Sequence, residues 1–91
     1  MVFENFVITG FKRRQKVIRD IEIKSQRLRN EHKIEESKLF EDHTLFLKKE
    51  LGNYFQQYRQ IMLRNGILPA YNIGIPALSE SEKKLVENSK G

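Results

Sequence analysis

The fold is decided by the stretch from Phe11 to Leu51, FKRRQKVIRDIEIKSQRLRNEHKIEESKLFEDHTLFLKKEL, which contains neither glycine nor proline. It is rich in Lys, Glu, Arg, Gln and Leu, the residue types with high helix propensity. The helical pattern continues to Arg64, after which Asn65–Gly66 suits a left-handed C-terminal cap. We therefore predict an all-α chain with a helical region over residues 11–64.

Two apolar series run through this region, and they are out of phase by one residue at Leu39/Phe40. The second series advances in alternating steps of four and three residues, the spacing of a helix-packing seam. Its members are Phe40, Thr44, Leu47, Leu51, Tyr54, Tyr58 and Ile61. A bend or turn near Glu41–Thr44 brings the two series into phase. We favour one long, kinked amphipathic helix and keep an antiparallel helical hairpin as the alternative.

The remaining segments are expected to be two arms and one short helix. Residues 1–10 are predicted to form an apolar N-terminal arm, because their β-branched residues and final glycine weaken a helix. Residues 65–79 hold no charge and two prolines, which predicts an extended arm lying in a groove. Ser79 and Glu82 have the spacing of a capping box, so a short helix is predicted over residues 80–88.

The net charge of +5 is unevenly distributed along the chain. Residues 12–33 carry nine Lys and Arg against three acidic side chains, whereas residues 34–51 carry three Lys against five acids. On a helix, six of the nine cations of the first segment gather within about 140° of arc. We predict that this face meets an anionic partner. Its residues are Lys12, Arg13, Lys16, Arg19, Lys24 and Arg27.

The composition and the residue spacings indicate neither a catalytic site nor a metal site. Without cysteine, the chain has no disulfide, no thiolate metal site and no cysteine nucleophile. His32 and His43 lack the spacing of a metal-binding pair, and the acidic pair Glu35–Glu36 suggests no concave pocket. We expect no catalytic residue, no metal and no cofactor, hence no enzyme. No run of about 18 apolar residues predicts a membrane span.

The segments form a single unit, residues 1–91, that is not predicted to be a self-contained globule. The expected function is that of a small accessory or scaffold subunit of a larger multiprotein assembly. Other protein subunits are expected to contact the seam and the extended arm. The predicted interface residues are Leu47, Leu51, Tyr54, Phe55, Tyr58, Ile61, Met62, Ile67, Leu68, Tyr71, Ile73 and Ile75. The basic face is expected to meet an acidic protein surface, RNA or lipid head groups.

Two alternatives stay open. The chain is alternatively a small basic nucleic-acid-binding protein of ribosomal or regulatory type, binding phosphates without a base-reading module. It is alternatively a coiled-coil homodimer that pairs through the seam over residues 40–61. An intracellular location is expected. A mitochondrial one is suggested because Glu4 is the only acid before Asp20, a composition similar to an organellar import signal.

Overall fold

A computed structural model describes residues 2–69, 71 and 75–90 of the chain. Four helices follow one another in this part. They are α1 (Val2–Asn30), α2 (Ile34–Gln57), α3 (Arg59–Arg64) and α4 (Glu80–Lys90). The chain measures 47 × 28 × 22 Å along its principal axes. The prediction of an all-α chain is confirmed for the described residues.

A turn at residues 31–33 separates the two long helices. His32 has a φ of 64°, in the left-handed region. The amide of Lys33 donates to the carbonyl of Leu28 at 2.9 Å, and the amide of His32 donates to the carbonyl of Arg29 at 3.0 Å. These two bonds form a Schellman cap, where glycine usually takes the left-handed position. Histidine tolerates that conformation better than most side chains, so the turn forms without glycine.

The single helix predicted over residues 11–64 is therefore wrong, and so is the bend predicted near Glu41–Thr44. Residues 41–44 lie inside α2, and the break comes at residues 31–33. The two apolar series are out of phase because the region forms two helices, and each helix buries a different side. The end of the helical region is predicted correctly, because α3 ends at Arg64.

The cap after α3 also matches its prediction. Gly66 has a φ of 70°. Its amide donates to the carbonyl of Leu63 at 3.1 Å, and the amide of Ile67 donates to the carbonyl of Met62 at 2.9 Å. This is a second Schellman cap, here with glycine at the left-handed position.

The two long helices pack side by side, and the chain runs along them in opposite directions. Near the turn, the side chain of Ser25 contacts that of Ser37. At the far end, the hydroxyl of Tyr54 donates to the carbonyl of Val7 at 2.9 Å. Gly10 leaves the room for this contact, since a Cβ there would lie 2.7 Å from the Tyr54 hydroxyl oxygen.

A hydrophobic core lies at the end of the molecule away from the turn. It consists of Val7, Phe11, Ile18, Leu51, Phe55, Met62, Leu63 and Val86. The rings of Phe11 and Phe55, both fully buried, have centroids 5.8 Å apart. The arm predicted over residues 1–10 is wrong, because α1 begins at Val2 and Val7 joins the core. Burial of one face against α2 outweighs the weak helix propensity of this segment.

The segment after α3 returns to the core without helix or strand in residues 65–69, 71 and 75–79. This agrees with the predicted extended arm, although Ile73 and Gly74, on which that prediction also relied, lie outside the described residues. The guanidinium of Arg59 anchors the end of the arm. It donates to the carbonyl of Pro76 at 3.1 Å and to the carboxylate of Glu82 at 2.5 Å.

The capping box predicted before the last helix is present. The amide of Glu82 donates to the Ser79 hydroxyl at 3.3 Å, and the Ser79 amide donates to the Glu82 carboxylate at 3.0 Å. The helix that it starts, α4, runs to Lys90, two residues beyond the predicted end. Val86 is its contribution to the core.

Candidate interaction surfaces

The six cations predicted to meet an anionic partner all lie on α1 with exposed side chains. We call them the basic face: Lys12, Arg13, Lys16, Arg19, Lys24 and Arg27. Within the described residues, none of the six belongs to a salt bridge. Other basic side chains are paired, among them Arg29 with Glu41 and Lys48 with Glu22. The structure thus pairs several cations elsewhere with carboxylates but leaves this face positively charged.

Large apolar side chains are exposed on the same side of α1. Val2 is 89% exposed, Phe6 76% and Val17 46%. At 100° per residue, these three residues, Arg13 and Lys24 fall within about 60° of arc. Apolar and cationic side chains are therefore interspersed along one side of the helix. We call these five residues the mixed strip; Asp20 falls within the same arc.

In the half of the molecule next to the turn, the fully buried side chains are polar. Between residues 20 and 45, all of which are described, the buried side chains are Ser25, Ser37 and Thr44. The hydroxyl of Thr44 donates to the carbonyl of Phe40 at 2.7 Å, so it is satisfied within its own helix. Small hydroxyl side chains let the two backbones approach closely, but they bury little apolar surface.

Five large apolar side chains in this half are exposed, whereas Ile21, Leu28 and Phe40 are half-buried. We call the four on α2 the turn-end surface: Ile34, Leu39, Leu45 and Phe46, each between 46% and 71% exposed. Leu39 and Phe46 are seven residues apart, two turns of α2, on the side opposite Ser37. They therefore point away from α1.

Acidic side chains border this pair on α2. Glu35 and Asp42 are exposed on the same side of the helix as Leu39 and Phe46. Neither carboxylate belongs to a salt bridge within the described residues. The outer side of α2 thus carries an apolar pair with two acidic side chains along one edge, and the exposed Lys38 and Lys49 lie beyond them.

The seam predicted as a protein interface packs mostly inside the chain. Leu51, Phe55 and Met62 belong to the buried core. Partly buried against that core are Leu47, Tyr54, Tyr58, Ile61, Ile67, Tyr71 and Ile75. Leu68 is 43% exposed, and Ile73 lies outside the described residues. A side chain in the core of this fold is not available to a neighbouring protein. Among the described residues of the predicted interface, Leu68 is the most exposed.

Tyr54 links the seam to α1. Its ring stacks near that of Phe11, with centroids 6.3 Å apart. The guanidinium of Arg14 lies 4.4 Å from the centre of the Tyr54 ring, and it also donates to the carbonyl of Gly10 at 3.0 Å. Arg14 is therefore engaged within the chain, as is Lys24 of the basic face, whose ammonium lies 5.0 Å from the centre of the Phe40 ring.

A polar cluster ties the extended arm to the two long helices. The hydroxyl of Tyr71 donates to Glu22 at 2.8 Å, and the ammonium of Lys48 lies 3.0 Å from the same carboxylate. Burial raises the pKa of the Glu22 carboxyl, but hydrogen bonds from Tyr71 and Lys48 outweigh burial, so this pKa lies below 4.5. Burial and the bond to Glu22 both raise the pKa of the Tyr71 phenol above 10.0.

The ion pair between Arg59 and Glu82 ties α4 and the arm to α3. Hydrogen bonds from the Arg59 guanidinium and the Ser79 amide lower the pKa of the Glu82 carboxyl from 4.5 to about 2. The pKa shifts of Glu22, Tyr71 and Glu82 thus arise in these two clusters. Both clusters connect segments of the same chain.

The described residues contain no group of three or more His, Cys, Asp or Glu side chains placed to hold a metal ion. His32 forms the turn and His43 is exposed on α2. A cavity of about 460 Å³ between α1 and α2 is lined by Gln26, Asp42 and Lys48, among others. The predictions of no metal, no cofactor and no catalysis stay predictions.

Neither the turn-end surface nor the mixed strip was predicted from the sequence. Leu39 was assigned to an inward series, and Phe46 to no series. A wheel drawn for residues 34–57 alone would have placed both on one side, opposite Ser37 and Thr44.

Comparisons with protein-family models, curated proteins and solved structures find no match for this chain.

Proposed function

We propose that the chain is a small non-catalytic accessory subunit of a larger protein assembly, and that a neighbouring protein covers its turn-end surface. In this proposal α1 and α2 act as a helical hairpin. The core end forms its base, and the turn end reaches into the assembly. The chain is then not self-contained, because part of its apolar surface is completed by the neighbour.

The observation that carries this proposal is the inverted polarity of the turn end. Ser25 and Ser37 are buried, while Leu39 and Phe46 are 71% and 57% exposed. In a helix pair that binds no partner, we would expect apolar side chains between the helices and polar ones outside. Clustered apolar side chains facing outward are typical of a surface that a partner covers.

The border of this surface indicates the chemistry of the neighbour. Glu35 and Asp42 flank the pair Leu39 and Phe46 and have no cationic partner within the described residues. A helix with an apolar stripe bordered by Lys or Arg fits both features, since charges at the rim set orientation and partner choice. The seam residues support the hairpin from within instead of forming the main contact.

The extended arm offers a second, smaller contact. A cavity of about 400 Å³ beside the arm is lined by Phe55, Leu68, Pro69 and Ile75, among others. Leu68 is the exposed apolar side chain of this group. We propose that a neighbour contacts the arm here. A mitochondrial setting rests only on the composition of the N-terminus.

A second candidate function, nucleic-acid binding, is favoured by one observation. The six cations of the basic face are exposed and belong to no salt bridge within the described residues. Six cations aimed at phosphates give strong, sequence-independent and salt-sensitive binding. The apolar residues within the mixed strip make a uniform phosphate backbone a poorer fit to this face.

Affinity capture of the tagged full chain from its native cells, with and without nuclease, separates the two functions. We expect a fixed set of proteins to stay bound after nuclease and at about 0.3 M salt, where phosphate contacts weaken strongly. The charge-reversed variant R13E/K16E is expected to retain that set. Loss of all partners after nuclease, and in R13E/K16E, would instead establish the nucleic-acid function.

A further inference from the structure

We propose that α1 carries a docking surface for a membrane that contains anionic lipid, formed by the mixed strip and the rest of the basic face. This surface is separate from the turn-end surface on α2 and goes beyond the function proposed above. Within the described residues no helix is long and apolar enough to cross a bilayer, so the contact proposed is with the membrane surface.

The shape of the surface fits a planar partner. The mixed strip runs from Val2 to Lys24 along one helix, a length of roughly 33 Å at 1.5 Å per residue. Its apolar members, Val2, Phe6 and Val17, are spaced along that length, and Val17 also lines a groove of about 340 Å³ with Arg13 and Glu50. A helix lying in the interfacial plane buries such residues at the boundary between head groups and acyl chains.

The charges on this side of α1 are almost entirely positive. Lys12 and Lys16 are exposed beside the strip, and Arg13 and Lys24 belong to it. Asp20 is the one acidic residue on this side between residues 2 and 30. The other two acids of α1 are engaged elsewhere, Glu4 with Arg64 and Glu22 with Lys48. Anionic head groups attract such a surface, and long Lys and Arg stems keep their charges at head-group level while apolar neighbours go deeper.

The apolar members distinguish a membrane from the other anionic partners. The phosphates of a nucleic-acid backbone can pair with Arg13 and Lys16. They offer no apolar contact to the side chain of Phe6, which is 76% exposed. A second copy of the chain would bring one basic face against another, and like charges at an interface are costly. An anionic membrane satisfies both kinds of side chain at once.

The phenylalanine next to the strip extends the apolar end. Phe3 is 61% exposed, although its ring also packs edge-on against Tyr58, with centroids 6.2 Å apart. The first turns of α1 thus present Val2, Phe3 and Phe6, and the cations begin at Lys12. In this arrangement the first two turns enter the interface most deeply, and the basic residues hold the rest of the helix parallel to the surface.

The test is co-flotation of the full chain with phospholipid vesicles, either neutral phosphatidylcholine or phosphatidylcholine with about 30% phosphatidylserine. We expect the wild-type chain to float with the anionic vesicles and to stay behind with the neutral ones. R13E/K16E, which reverses two charges of the basic face, is expected to lower the vesicle-bound fraction about tenfold or more. F6S/V17S, which leaves the charge unchanged, is expected to lower it about tenfold.

Two matched variants on α2 serve as controls. K38E/K49E changes the net charge by the same amount, and L39S/F46S removes two exposed apolar side chains from the turn-end surface. Both are expected to float like the wild type. All eight side chains are exposed, and circular dichroism should show that each variant keeps its helices.

Three results would overturn the proposal. The first is equal flotation with neutral and anionic vesicles, or none with either. The second is equal loss in K38E/K49E and R13E/K16E, because net charge alone would then explain the binding. The third is a wild-type affinity of F6S/V17S for vesicles, combined with charge-dependent binding of duplex RNA, which would assign the face to nucleic acid. The variant L39S/F46S distinguishes the membrane proposal from the proposed function. We expect it to lose its protein partners and still to float with the anionic vesicles.

Discussion

Ser25 and Ser37 face each other across the α1–α2 interface and exchange hydrogen bonds. The Ser25 hydroxyl donates to the Ser37 carbonyl at 3.2 Å, and the Ser37 hydroxyl donates to the Ser25 carbonyl at 3.1 Å. Both side chains are buried, at 5% and 1% exposure. Two small polar residues thus form a close contact between the helices near the turn, while Leu39 and Phe46 of the turn-end surface lie outside it.

We expect the space around Ser37 to reject a larger side chain. Ser37→Leu should lower the free energy of unfolding by about 1–3 kcal/mol, because the extra volume forces the backbones apart. Ser37→Ala, which loses one buried hydrogen bond, should lower it by about 0.5–1.5 kcal/mol. Urea denaturation of the full chain measures both. Asn53→Leu, an exposed position on the same helix, is the control and should not lower stability; a fully stable Ser37→Leu would contradict the close packing.

The turn between the long helices should improve when glycine replaces histidine. His32 has a φ of 64°, where residues with a Cβ are strained. His32→Gly is therefore expected to raise the free energy of unfolding by about 1 kcal/mol. Lys38→Gly, at an exposed position inside α2, should lower it by about 1 kcal/mol. If His32→Gly destabilises as much as Lys38→Gly does, then residue 32 is not in the left-handed conformation.

Gly10 and Tyr54 should show strong coupling. A Gly-to-Ala change within a helix normally stabilises by up to about 1 kcal/mol. Here the new Cβ would lie 2.7 Å from the Tyr54 hydroxyl oxygen, but 3.5 Å from the ring carbon that bears it. We expect Gly10→Ala to destabilise the wild type and to stabilise the Tyr54→Phe variant, as measured by thermal unfolding. An equal effect of Gly10→Ala in both backgrounds would show that the hydroxyl does not occupy this space.

The ion pair between Arg59 and Glu82 should make stability depend on pH in the acid range. Because the pKa of Glu82 falls from 4.5 to about 2 on folding, the contribution of this carboxylate is fully present above about pH 4.5. It is lost as the pH falls through about 2. We expect Glu82→Gln to be less stable than the wild type at neutral pH and to approach it in acid. Glu87→Gln, exposed on α4, is the control. A difference between wild type and Glu82→Gln that does not change with pH would contradict the pairing.

The elements governed by local rules could be predicted from the sequence. The glycine cap at Gly66 and the capping box of Ser79 and Glu82 follow from residues that are neighbours in the chain, and both are present. The total helical character followed from composition in the same way. Boundaries set by such local signals were accurate to within two residues at Arg64 and Lys90.

The features governed by tertiary packing could not be predicted. The turn at His32 carries no glycine or proline, so nothing local marks it. The helix over Val2–Gly10 has weak propensity and forms because Val7 packs against α2. The seam was predicted to bind a neighbouring protein, but its Phe55 is fully buried in the chain itself. The packing of α1 against the seam could not be predicted from the sequence. The six cations of the basic face are exposed, because charges that repel one another on one side of a helix stay in water, and their anionic partner stays a prediction.

The central claim is that the turn-end surface binds a neighbouring protein, and capture with variants of that surface tests it most directly. The tagged wild type, L39S/F46S and the matched variant F6S/V17S should be captured from native cells after nuclease treatment and compared by quantitative mass spectrometry. We predict that L39S/F46S loses most of the stoichiometric protein partners, whereas F6S/V17S keeps them. Full retention of those partners by L39S/F46S, with its helices intact, would contradict the claim.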